Sequence, residues 1–394
     1  MCWKMIPFEE ALSITGKYIR HTGIEYIPFM ESPGRVLAED IISDIDMPPF
    51  NKTAVDGYAC RKADLSCELL INEVIPAGVP ASKRVEEGEC VKIMTGAAIP
   101  EGADWVFMIE EAEEKNGKVR FTGKAGKDNI AKHGEDIRRG DTVLKAGRII
   151  KPQDIAVMAT VGAVGVAVGL RPVVAVISTG SELVEPDKKP GASQIRNSNA
   201  YQLTAQVMRA GGEAVYYGIA PDNEDDTYRL VTKAIDECDM VLLTGGVSMG
   251  DFDMVPAVLE RAGVKILFDR IAVQPGKPTT FGLHDDALVF GLPGNPVSSF
   301  IQFELIVRPM MMAAMGAAGG GQARKHILGK DYSRKRAGRT AWVPVRLSSD
   351  ETVVPVEYHG SAHINALPEA YGIMEVPLGT GEIKKGTEVD VRQI

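Results

Sequence analysis

At 394 residues the chain is longer than one hydrophobic core usually supports, and it is expected to divide into about two to four domains. Its apolar (45%) and charged (25%) fractions are those of an ordinary water-soluble globular protein. A formal net charge of −9 excludes a general nucleic-acid binder, which needs a broad basic face, so an anionic substrate would have to meet a local basic pocket.

In chain order, "MCWKMIPFEEALSI" turns polar and helical at once, unlike a secretory leader, and "PFEEALSITGKYI" predicts an amphipathic helix. From Pro48 to about Asp136 short strands punctuated by glycine predominate, among them "CELLINEVIPAG", "CVKIMTGAAIPEGADWVFMIEEAE" and "GKVRFTG". The longest uncharged run, Ile155 to Leu170, has 16 residues. That is short of the roughly 20 needed to span a bilayer, and its glycines divide it into a helix and a strand. From Arg171, the strands "PVVAVIST", "EAVYYGIA", "DMVLLTGG" and "ALVFGL" alternate with helical stretches, which predicts a doubly wound parallel sheet. A Met/Ala/Gly-rich linker follows, and after Lys325 "RTAWVPVRLSS", "TVVPVEYHG" and "EVDVRQI" predict a small all-β domain. The fold class is therefore α/β multidomain, with a β-rich second domain and a C-terminal β domain.

Five cysteines (Cys2, Cys60, Cys67, Cys90 and Cys238) form no CxxC pair, as expected of reduced thiols in a cytoplasmic protein. Six histidines form no HxH or HExxH pattern, so no zinc site is expected. No partnership with nucleic acid or membrane is expected either.

Ligands of open α/β sheets bind beyond the carboxyl ends of the strands. Those ends carry Glu182 after Thr179-Gly180, Asp222 after Pro221, and Gly245-Gly246 with Ser248, Asp251 and Asp253 behind. The fourth strand runs into Pro293-Gly294-Asn295-Pro296, whose prolines predict a rigid turn that points the amides of Val297 and Ser298 outward. Glycine turns favour anions whereas carboxylates repel them. A hard dication, most simply Mg²⁺, bridges the two and puts both in one site. Neither glycine turn has the GxxxxGK[ST] spacing, which excludes a Walker loop. The demand for local basic charge is met by Arg270 and Lys277 around "QPGKP", and by Arg334, Lys335, Arg336 and Arg339, a cluster that also reads as a solvated loop. No Ser-His-Asp or Cys-His arrangement is evident. Phosphoanhydride cleavage needs none, because it depends on positioning and charge stabilisation.

Together these stretches resemble the molybdopterin molybdenumtransferase family, which includes the bacterial MoeA-like enzymes and the E-domain of gephyrin. "PPFNKTAVDGYA", "IMTGAAIPEGAD", "STGSEL", "TGGVSMGDFD", "QPGKPTTFG", "GLPGNPVSSF", "GRTAW" and "HGSAHINAL" follow in the family's order. The resemblance implies four domains: domain I, elongated and mixed α/β, from 1–46 and 137–170; a β-rich domain II at 47–136; an α/β molybdopterin- and Mg-binding domain III at 171–310; and a β domain IV at 322–394. It implies a homodimer with its site at the subunit interface, and an upstream adenylyltransferase as a further partner. The implied reaction inserts molybdate into adenylylated molybdopterin with release of AMP and a need for Mg²⁺.

By position, the resemblance assigns catalytic roles to Asp56, Thr95, Glu182, Asp222 and Asp253, with the last three also near the metal. It assigns pterin, phosphate or molybdate contacts to Gly245, Gly246, Ser248, Arg270, Lys277, Pro293, Pro296, Ser298, Arg339 and Ser361. Asp56, preceding Gly57, also reads as an ordinary Asp-Gly turn. Many family members carry Lys where this chain has Gln274, and loss of that cation should weaken molybdate binding or alter selectivity. Alternative readings are a tungstate-preferring version of the same transferase, a non-catalytic gephyrin-like scaffold, and another nucleotide-handling enzyme built on the α/β domain.

Overall fold

The computed structural model describes residues 5–124, 126–221, 223–246, 254–319, 323–357, 360 and 363–394. They form two compact units, one of Met1–Glu39, Ala146–Lys151 and Gly165–Ile394, the other of Asp40–Lys145 and Pro152–Val164.

The larger unit is built on a six-stranded sheet. Its elements are β1 (Val173–Thr179), α1 (Asn199–Arg209), β2 (Glu213–Ala220), α2 (Glu224–Glu237), β3 (Met240–Thr244), α3 (Val255–Arg261), β4 (Lys265–Arg270), β5 (Pro278–Leu283), β6 (Leu288–Leu292) and α4 (Pro296–Gln302). The strand order is β2-β1-β3-β6-β5-β4. Alternate side chains explain the two covered faces. Val174, Val176 and Leu242 pack with Ala200, Leu203 and Val207 of α1 and Ile301 of α4. Ala175, Ile177, Val241 and Leu243 pack on the opposite face with Val231, Ala234 and Ile235 of α2 and Val258 and Leu259 of α3.

The expected parallel arrangement holds for β2, β1, β3 and β6. Strands β5 and β4 instead run antiparallel at one edge. The reason is the connection. His284 N–H donates to Ala287 O across the short loop between β5 and β6, and so short a link closes a hairpin but cannot make a parallel crossover.

The C-terminal strands β7 (Arg324–Ile327), β8 (Thr340–Leu347), β9 (Val353–Pro355), β10 (Gly372–Val376) and β11 (Glu388–Gln393) form a second sheet in the larger unit. Its order is β8-β10-β11-β7, with β9 against β8. The short strand Val273–Gln274 adds to its free edge, parallel to β8. The amphipathic helix expected near the start spans Phe8–Gly16, with Phe8 edge-on to Trp342.

The smaller unit is β-rich. Its main sheet places Trp105–Met108, Gly57–Cys60, Glu89–Ile93, Glu68–Ile75, Lys118–Phe121 and Ala112–Lys115 side by side. Ala59, Val91 and Val106 bury on one face, and Tyr58, Cys90 and Phe107 on the other. The uncharged run begins within the helix Pro152–Thr160, and no helix among the described residues is long and apolar enough to cross a membrane.

Candidate functional site

The chain leaves β1 for β2 on one side and later returns to β3 on the other, so the sheet has its topological switch point between β1 and β3, where a crevice opens. A cavity of about 300 Å³ lies there, walled by Thr179, Glu182, Asn199, Thr244, Gly245 and Pro296 among others. Three sequence-predicted residues, Glu182, Gly245 and Pro296, thus share one cavity. Glu182 turns its carboxylate back over Gly180, where a Cβ would lie 2.5 Å from a carboxylate oxygen. Gly245 has a left-handed φ of 94°, and a Cβ on it would fall 2.4 Å from Thr179 O. Gly246 follows with φ of 59°.

The Pro293–Pro296 turn is held by neutral side chains. Asn199 Nδ2 donates to Gly294 O (2.7 Å) and Thr244 Oγ1 (2.9 Å), and Thr244 Oγ1 donates to Pro293 O (3.3 Å). Gln202 Nε2 donates to Pro296 O at 3.2 Å. Asn197 accepts from Ser178 Oγ at 3.0 Å and donates to Tyr216 Oη at 2.8 Å. Tyr216 donates to Glu185 at 2.8 Å, and burial, then this carboxylate, push its phenol well above the ordinary tyrosine range. The Asn-Ser-Asn run leading into α1 was the sequence signal for this layer, and reading charges alone misses it. The side chains of Val297 and Ser298 are buried in α4, and neither lines the cavity.

Arg270, Gln274, Lys277 and Arg339 form a second group. Ile271 N–H donates to Lys277 O at 3.0 Å, which closes a loop whose Gln274–Pro275 peptide is cis. Gln274 and Lys277 are exposed at its rim. Arg339 reaches the loop by donating from Nη1 to Val273 O at 3.1 Å. Below the loop, Gln302 at the end of α4 donates from Nε2 to Pro275 O at 3.1 Å. One helix therefore touches the strand-end cavity with Pro296 and the basic loop with Gln302, six residues or about 9 Å apart along its axis. Arg334, grouped with the basic cluster in the sequence, instead donates to the carbonyls of Thr380, Arg339 and Pro377. It is a backbone clamp.

Asp56 and Thr95, in the smaller unit, are brought together. Asp56 Oδ1 accepts from Thr95 N–H at 2.6 Å and from Thr95 Oγ1 at 2.7 Å. These two bonds, the backbone one first, hold the exposed carboxyl below the usual aspartate range. Thr95 sits in a turn closed by Ala97 N–H to Met94 O (3.0 Å), with Gly96 at φ of 84°. Gly57 serves the sheet and not an Asp-Gly turn: it begins a strand, and a Cβ there would lie 2.0 Å from Phe107 O.

Asp222, Ser248, Asp251, Asp253 and Ser361 lie outside the described residues. Of the three expected metal ligands only Glu182 is described, and no cluster of three His, Cys, Asp or Glu side chains suited to a metal occurs among the described residues.

Three family models match along the chain: the MoeA N-terminal region (domain I and II) over residues 6–162, a probable molybdopterin binding domain over 175–313, and the MoeA C-terminal region (domain IV) over 328–394. The molybdopterin molybdenumtransferase of Bacillus subtilis (strain 168) is 35% identical over 402 residues, which cover 98% of this chain and 93% of that one. The chain belongs to the molybdopterin molybdenumtransferase family. Another relative of that name, from Staphylococcus epidermidis (strain ATCC 12228 / FDA PCI 1200), is 38% identical over 92% of this chain and 89% of its own. The molybdopterin biosynthesis moeA protein from Pyrococcus horikoshii OT3 superposes with a TM-score of 0.85 at 32% identity, covering 99% of this chain and 100% of that one. This is a family of enzymes of molybdenum cofactor biosynthesis, and the transferase fold described above is its architecture.

Proposed function

We propose that this transferase inserts molybdate into the dithiolene of adenylylated molybdopterin and releases AMP. The observation that supports the reading best is the span of α4, whose two ends support the strand-end cavity and a basic loop about one helix length apart. A pterin joined through phosphates to a nucleotide is long enough to engage both.

On this reading Lys277 and Arg339 hold the oxyanion, with Arg270 behind them. The open backbone at Gly245 and Gly246 and the Pro293–Pro296 turn receive the phosphate-bearing part of the substrate. Asp56 acts as an ionised acceptor, since its bonds from Thr95 favour the charged form. It acts across a homodimer interface, on the partner subunit's substrate. Ser248, Ser298 and Ser361 complete the polar contacts of the substrate.

The donor set at the strand ends suits Mg²⁺, a hard cation that takes carboxylate oxygens and keeps waters. Gly180 leaves room for the Glu182 carboxylate at the cavity wall, and Glu182, with Asp222 and Asp253, would hold the ion. When bound, Mg²⁺ supplies neutralisation of phosphate charge. No side chain need attack the phosphoanhydride, because charge stabilisation and alignment lower its barrier.

The deciding experiment measures AMP release from adenylylated molybdopterin with and without Mg²⁺ while molybdate is titrated against tungstate. Oxyanion-dependent, Mg²⁺-dependent release is expected. The uncharged, exposed Gln274 at the basic loop makes tungstate preference the second reading, to be judged by which anion half-saturates lower. A folded protein that binds pterin but releases no AMP with either anion would favour a scaffold.

A further inference from the structure

We propose that the Thr179 hydroxyl is a ligand donor, kept for a phosphate oxygen of the molecule that occupies the strand-end cavity. The inference rests on the transferase reading for the identity of that molecule. Its structural basis is independent.

Thr179 ends β1, is 7% exposed and lines the cavity. Its Oγ1 has no hydrogen-bond partner among the described residues. Its polar neighbours do pair: Ser178 with Asn197, and Thr244 with Asn199 and Pro293. A buried hydroxyl without a partner is unfavourable, and valine has the same branched shape without that cost. The strand therefore carries a polar atom that the fold itself does not use.

The atom is buried, but what lies over it is glycine backbone. A Cβ would lie 3.0 Å from Thr179 Oγ1 if placed on Gly245, and 2.8 Å from it if placed on Gly246. Both glycines have left-handed φ values, so side chains are disfavoured there on conformational grounds as well. Two successive bare α-carbons thus flank the unpaired Thr179 hydroxyl. A hydroxyl donates most strongly to a charged acceptor, and phosphate is the charged acceptor that the substrate brings. The Glu182 carboxylate lines the same cavity and repels a bare anion, so the interaction is expected in the presence of Mg²⁺.

The test uses the full-length protein and three variants: Thr179→Val, Thr179→Ser and Thr179→Ala. Calorimetry with Mg²⁺ has two arms, AMP and a phosphate monoester of a hydroxymethylpterin, and thermal midpoints are recorded alongside. Thr179→Val is expected to melt at or above the wild-type midpoint yet to bind one of the two phosphates about ten- to a hundredfold more weakly, the range for a hydrogen bond to a charged group. Thr179→Ser, which retains the hydroxyl, is expected to stay within a few-fold of wild type. The arm that weakens identifies the phosphate. Wild-type affinity in Thr179→Val for both ligands would overturn the assignment while leaving the transferase reading intact. Parallel losses of stability and affinity in Thr179→Val, unrelieved in Thr179→Ser, would overturn it in favour of packing. Failure of the wild type to bind either phosphate would overturn the transferase reading, and this assignment with it.

Discussion

Gln302 lies directly beneath Gly276. A Cβ on Gly276 would come within 2.3 Å of Gln302 Nε2, and that nitrogen donates to the neighbouring Pro275 O at 3.1 Å. The glycine, at φ of 103°, and the fully buried glutamine together set the height of the basic loop over α4. Gln302→Leu keeps the volume and removes the donor. It is expected to cost about 1–2 kcal/mol in stability and to speed hydrogen exchange of the backbone amides at 274–279, while α4 stays protected. Unchanged exchange in that loop would remove Gln302 from its support.

The Asp56 carboxyl is held down by Thr95, first through the backbone amide and second through the hydroxyl. Thr95→Ala removes only the hydroxyl, so the Asp56 pKa is expected to rise part of the way to its ordinary value, as read by carboxyl carbon NMR. The sign for stability follows. A depressed native pKa contributes stability above the unfolded value of about 3.8, and that contribution is lost as pH falls through the native value. The variant is expected to shed less stability across that acidic window than the wild type. In turnover assays, Asp56→Asn is expected to abolish activity with fold and pterin binding largely kept.

Asn199 joins the end of β3 to the Pro293–Pro296 turn through two bonds from one amide nitrogen. Asn199→Ala leaves Gly294 O without this donor and is expected to destabilise the protein by about 2 kcal/mol in denaturant titrations. Asn199→Asp removes the donor nitrogen and adds negative charge beside the cavity. Its phosphate-ligand affinity is expected to fall below that of Asn199→Ala, and equal affinity in the two variants would show that only the turn's shape matters.

Gln274 sits at the exposed rim of the basic loop, so its replacement disturbs no core packing. Gln274→Lys adds a cation close to Lys277 and Arg339. Half-saturation by molybdate is expected to fall several-fold, with a steeper dependence on ionic strength than in the wild type. A shift confined to maximal rate would place Gln274 away from the anion.

Apolar runs such as "VVAVIST" and "MVLLT" made the central strands legible, because a strand buried on both faces needs little else. Strand direction was not legible at β5, since an apolar run carries no polarity. The clue lay in the brevity of the loop that follows it. Among site residues, charge drew attention to Glu182 and Lys277, whereas Asp56 and Thr95 were reached through resemblance to the family, and only the fold pairs them. Asn199, Gln302 and Arg334 were obscure for a shared reason. An amide or guanidinium that serves a backbone carbonyl is indistinguishable in sequence from one that serves a ligand, and only the fold supplies the carbonyl. In "SSFIQFELIV" the glutamine looks like an interruption of an apolar helix.

The strand Val273–Gln274 belongs by pairing to the C-terminal sheet, although the chain enters it from β4 of the central sheet and leaves it for β5. The basic loop is therefore sewn into both sheets. Any swivel of the C-terminal sheet about this seam must drag Gln274 and Lys277 with it, whereas the Gln302 anchor below stays with the central sheet. The seam couples the C-terminal sheet to the basic loop, and loss of that sheet would leave the loop held only through β4, β5 and the Gln302 contact.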